Sequence, residues 1–142
     1  MAAYPRLQLN RGMVMLRYKQ PFLDWIKASN SEPLELTLEE ANDDGEVFLV
    51  PEYDSEKNPV GCTEDAVKWV EKRWRMLFEH ALNGWVQDET LWPGNLTLKM
   101  FREWFEVEYR SMVWDMGHEP LMVEDFDDGM DDEMPDAGNV LH

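Results

Sequence analysis

No lysine or arginine follows Arg110 in this 142-residue chain, yet ten acids do: Asp115, Glu119, Glu124, Asp125, Asp127, Asp128, Asp131, Asp132, Glu133 and Asp136. Carboxylates without counter-charges repel one another and do not enter a dry core unpaired. The fold must therefore come from the sequence that precedes most of them. This divides the chain into an N-terminal arm at 1–12, one domain at 13–123, and an acidic tail, expected to be disordered, at 124–142.

Residues 1–110 hold 20 acids against 13 bases, so the imbalance is modest there and the net charge of −17 is concentrated towards the C-terminus. Such a field repels phosphates and anionic lipid, which argues against direct nucleic-acid or membrane-surface binding. The densest cations, Lys68, Lys72, Arg73 and Arg75, share their segment with Glu64, Asp65, Glu71 and Glu79 and read as an ion-paired solvent face. Seven Trp and ten Met, added to the aliphatic residues and Phe, supply enough apolar bulk for one core. Cys62 is the lone cysteine, which leaves no intrachain disulfide. With neither a secretory apolar region nor a run near the ~20 residues of a membrane span, the expected location is cytoplasmic.

Periodicity supplies the elements. "MVMLRYK" alternates, which predicts a strand starting at Met13. Pro21 then suits a first helical turn, where its missing N–H would be unpaired anyway, and Phe22, Trp25 and Ile26 share one face. Thr37 and Glu40 form a capping box ahead of a short helix that Gly45 can close. "EVFLVP" predicts a strand covered on both faces, with Val47 and Leu49 in the core. The longest predicted helix runs from Thr63, as its cap, to Asn83, with Gly84 just past its end. Its stripe is Ala66, Val70, Trp74, Leu77 and Ala81, with Phe78 beside it. After a connector with a Pro93-Gly94 turn, Thr97 opens a helix that turns Leu98, Phe101, Trp104 and Phe105 inward. Val107 to Trp114 reads as a final strand because of its β-branched and aromatic content. The expected fold is α+β: a small sheet of about three strands with four helices packed on it.

Two stretches, "RYKQPFLDWI" and "LWPGNLTLKMFREWFEVEYRSMVWD", resemble the landmarks of a family of small acidic bacterial proteins with no assigned activity. The resemblance covers 35 of the 142 residues. It implies a bacterial cytoplasmic protein and carries no catalytic motif.

The chemistry-bearing residues do not assemble into a recognisable motif. Placing Gly129 at position 6 of a calcium loop puts Phe126 at position 3 and Pro135 at position 12, where oxygen ligands are needed. His80, His118 and His142 lie far apart, and Cys62 has no partner at metal-ligand spacing. Cys62 does sit at a helix start, which can activate a thiol, but no base is locatable. Pairs such as Glu39/Glu40, Asp43/Asp44 and Asp88/Glu89 are what thirty acids in one chain produce by chance. No cofactor or metal is expected.

The reading that remains is a non-enzymatic protein-interaction module, its acidic surface engaging a basic partner in the manner of a nucleic-acid mimic. The alternative is a small hydrolase-like enzyme with a carboxylate-based site. Trp85 and Trp92 fall in a connector, where backbone stays near the surface, and one of them is the candidate interface aromatic. In the tail, Phe126, Met130 and Met134 recur at i, i+4, i+8 among Asp125, Asp127, Asp128, Asp131 and Asp132. That segment is either a solvated end or one that orders on a basic partner.

Overall fold

The computed structural model describes residues 6–54, 56–57 and 60–126. Its centre is β2 (Arg11–Tyr18), whose side chains alternate without interruption between half-buried and buried. Gly12, Val14, Leu16 and Tyr18 face the core, while Arg11, Met13, Met15 and Arg17 face away. Only a sheet packed on one side produces this pattern. Antiparallel neighbours flank β2 on both sides, β3 (Val47–Pro51) and β4 (Phe105–Arg110), in the order β3-β2-β4. A second, two-stranded sheet pairs β1 (Leu7–Gln8) with β5 (Trp114–Asp115). The fold is α+β.

Helices cover the inner face. α1 (Gln20–Ala28) carries a proline in its first turn and buries Phe22, Leu23 and Ile26. α2 (Leu38–Asp43) has the complete capping box: the Thr37 hydroxyl accepts from the Glu40 amide, and Glu40 accepts from the Thr37 amide. α3 (Thr63–Glu71) contributes Ala66 and Val70, and α4 (Trp74–Trp85) contributes Leu77, Phe78, Ala81 and Leu82. A 3-10 turn (Glu89–Leu91) leads to α5 (Leu98–Trp104), capped by Thr97 and burying Phe101. The centre is aromatic. Phe22 stacks 4.4 Å from Tyr18, and Phe78 meets Phe105 edge-on at 5.2 Å, the arrangement that ring quadrupoles favour. Alternation turns position 12 inward, and a glycine suits it because a Cβ there would sit 3.1 Å from the Tyr109 ring.

Several expectations give way. The single helix over 63–83 is two: the chain leaves helical geometry at Arg73, with φ −119° and ψ 22°, and Thr63 starts α3 after Cys62 instead of capping it. The Arg73 guanidinium lies 3.7 Å over the Trp69 ring and donates to the Trp69 carbonyl at 2.9 Å, satisfying an acceptor at the end of α3. Neither Gly nor Pro marks the break. The split makes five α-helices among the described residues where four were expected, with Gly84 inside the last turn of α4. β3 is covered on one face only, so Val50 is buried whereas Val47 and Leu49 are 52% and 47% exposed. Trp25 and Trp74, expected inside, are half-buried at the core's edge. The N-terminal arm contributes a strand, because Leu7 and Gln8 pair with Asp115 and Trp114. The last predicted strand begins earlier, at Phe105, and pauses after Arg110 before β5.

Candidate functional site: the open face and edge of the sheet

Directly opposed residues in an antiparallel ladder point to the same face. The register therefore lays out the side of the sheet away from the helices. Leu49, Met13 and Arg110 form one row, and Val47, Met15 and Glu108 the next, followed by Arg17 beside Glu106. On the β4 side this face is charged, with Arg17 Nε 3.8 Å from Glu108. On the β3 side it is apolar, with two exposed aliphatic residues beside two half-buried methionines. Thioether side chains repack readily against a new surface.

β3 is also the terminal strand of its sheet, pairing with β2 alone among the described residues. Natural edge strands usually carry charges that deter further pairing. Val47 to Val50 carry none, and Pro51 comes only at the end. The acids lie instead on either side, Asp43, Asp44 and Glu46 before the strand and Glu52, Asp54 and Glu56 after it, and all are exposed. Glu46 is anchored from α4 by His80, whose Nε2 is 2.7 Å from the carboxylate, and Phe48 lies edge-on to the same imidazole at 5.7 Å. This corner therefore presents its carboxylate from a braced position.

Two cavities lie near this edge. One of about 490 Å³ is lined by Cys62, Asp65, Tyr53, Tyr109 and Glu52, with the thiol donating to Asp65 at 3.3 Å. Burial pushes the Tyr109 phenol up, helped by Cys62 and Asp65, and its hydroxyl donates to the Val60 carbonyl at 3.3 Å. Among its described lining residues there is no imidazole or amine to take the thiol's proton. The other, of about 270 Å³, brings Asp44 and Glu46 beside Tyr18 and Trp85. Burial raises the Tyr18 phenol, against the lowering effect of the Trp85 hydrogen bond.

The chain was compared with family models, curated proteins and solved structures. It matches none of them. Functional argument therefore rests on the residues alone.

The structure distributes the sequence-predicted partner residues among three settings. Trp85 and Trp92 both pack against the core: Trp85 Nε1 donates to the Tyr18 hydroxyl at 3.1 Å and Trp92 Nε1 to the Val86 carbonyl at 2.7 Å. Their polar ends are thus engaged within the fold. Asp125 and Phe126 lie outside regular structure, with Phe126 83% exposed. Asp127, Asp128, Met130, Asp131, Asp132 and Met134 lie outside the described residues. Among the described residues no group of His, Cys, Asp and Glu is arranged to hold a metal, and no helix is long and apolar enough to cross a membrane. Sequence reasoning missed the strip formed by exposed Val47 and Leu49 with half-buried Met13 and Met15. Its signal was present in the uncharged run bracketed by acids, but a run of five apolar residues does not say which of its faces is covered.

Proposed function

We propose that the protein is an interaction module that binds a basic protein partner at the open face of its sheet. The observation that carries this reading is the Met13, Met15, Val47 and Leu49 strip, apolar and without a covering helix among the described residues, with acids before and after β3 at its edge. Interfaces are commonly built this way, with an apolar centre for affinity and charge around it for selection and steering. Acids at both ends of β3 select basic surfaces, including those that otherwise hold nucleic acid. Both cavities are open to solvent, which suits this reading better than the alternative of a carboxylate-based hydrolase, whose titratable groups need shelter from water.

The test is affinity capture from bacterial lysate with the wild-type protein and a Val47→Lys/Leu49→Lys variant. Both positions are exposed, so the variant should fold. The wild type should retain basic proteins, release them as salt rises, and release them to duplex DNA if their bound face is a nucleic-acid site. The variant should retain none. Capture indifferent to both salt and the substitutions would overturn the proposal.

A further inference from the structure

Resting on that reading, we propose that β3 accepts an extended segment of the partner as a fourth strand, one whose apolar centre is flanked at both ends by lysine or arginine. Strand addition to a sheet edge takes its affinity from main-chain hydrogen bonds and its selectivity from the side chains on either side. The uncharged stretch Val47 to Val50 offers the main chain, and Val47 and Leu49 offer an apolar surface on the outer face. An added strand would place alternate apolar side chains beside them, widening the strip begun by Met13 and Met15.

Charge selects the occupant. A second copy of this chain is the obvious competitor, since an edge strand can pair antiparallel with itself. Pairing centred on Leu49, the middle of β3, would set Glu46 of each copy, just before the strand, opposite Glu52 of the other, just after it. Like charges directly opposed across a ladder destabilise it, and this happens at both ends of the same short pairing. A foreign strand with basic ends reverses the sign at both places. Asp43, Asp44 and the His80-braced Glu46 receive one end, and Asp54 and Glu56 the other. At about 3.4 Å per residue, β3 is matched by a segment of similar length, so the basic residues belong immediately outside a short apolar core. Pro51 removes one donor at the far end and limits how far the ladder extends.

The probe is a synthetic peptide with a Val-Thr-Val-Thr-Val core between Lys-Lys pairs, added to the full-length protein labelled for amide NMR and hydrogen exchange. At saturation, exchange of the β3 amides that do not face β2 should slow by about tenfold or more, equivalent to stabilising them by roughly 1.4 kcal/mol. A peptide with the same core but Glu-Glu ends should not bind. N-methylation of the Lys-ended peptide along one strand edge should abolish the protection, because the ladder loses its donors. Leu49→Lys should weaken binding about tenfold, and its unperturbed remaining spectrum would show that the fold persists. Three results would overturn strand addition: protection appearing elsewhere than β3, equal binding of both end-charge types, or concentration-dependent protection of β3 without peptide, which would make the occupant a second copy. The lysate capture described above, if still lost on the Val47→Lys/Leu49→Lys substitution, would leave the interaction reading standing when strand addition fails.

Discussion

Asn42 holds the end of β2 with both halves of its side-chain amide. Its Oδ1 accepts from the Tyr18 amide at 2.7 Å, while Nδ2 donates to the Tyr18 carbonyl and to the Leu38 carbonyl, each at 3.1 Å. A single side chain thus imitates a neighbouring strand where β3 has already ended, and satisfies backbone groups that would otherwise be half-buried without partners. Asn42→Asp keeps the acceptor but removes both donors, turning two attractive contacts into carboxylate facing carbonyl oxygen. Urea unfolding should show a loss of about 1–3 kcal/mol, the range for leaving such groups unsatisfied. An unchanged midpoint would show that water replaces the amide without penalty. Tyr18 shows the same economy: its backbone meets Asn42, its ring stacks on Phe22, and its hydroxyl receives the Trp85 indole.

Between elements, the fork formed by Arg102 and Glu71 ties α5 to α3 with two hydrogen bonds of 2.9 Å each. It bridges two helices that both pack on the inner side of the sheet, next to the break that separates α3 from α4. The hydrogen bond from Arg102 holds the Glu71 carboxyl below the ordinary glutamate range, against the raising effect of burial and with a lesser lowering contribution from the arginine's charge. With the folded-state value depressed, the unfolded chain binds more protons on acidification, so the contribution is present above the ordinary range and is lost as pH falls through the depressed value. Wild type should therefore melt above Glu71→Gln at neutral pH, by a small margin because Arg102 is exposed, and the two curves should converge in acid. Thermal melts over a pH series check this; a gap that persists below the carboxylate range would assign the difference to packing.

For the molecule as a whole, every residue of the core cluster lies between Val14 and Tyr109. The described residues from Met116 to Phe126 are all exposed. Deleting residues from Glu124 onward should consequently leave the melting temperature nearly unchanged, because a segment with few apolar contacts adds little to global stability. The deletion also removes eight acids and no base, so any change from relieved self-repulsion should be upward. A large drop on differential scanning calorimetry would make the tail part of the fold. If β3 is the binding edge, truncated protein should still bind the basic-ended peptide, with affinity reduced only through long-range charge.

What the sequence determined by itself was what depends on neighbours along the chain. The alternation of β2, the Thr37 and Glu40 capping box, the Pro21 helix start and the Thr97 cap are set by residues within a turn or two of one another, and each is found as its pattern predicts. Tertiary packing decided the rest. The break at Arg73 has no Gly or Pro to announce it, and follows from α3 lying against β4 while α4 turns Phe78 towards Phe101 and Phe105. The exposure of Val47 and Leu49 was equally illegible, because an apolar run looks the same whether one face is covered or two. Only the sheet order, which leaves β3 at the edge among the described residues, and the packing of the helices on the opposite face decide that these residues meet solvent, and with them the place proposed for a partner.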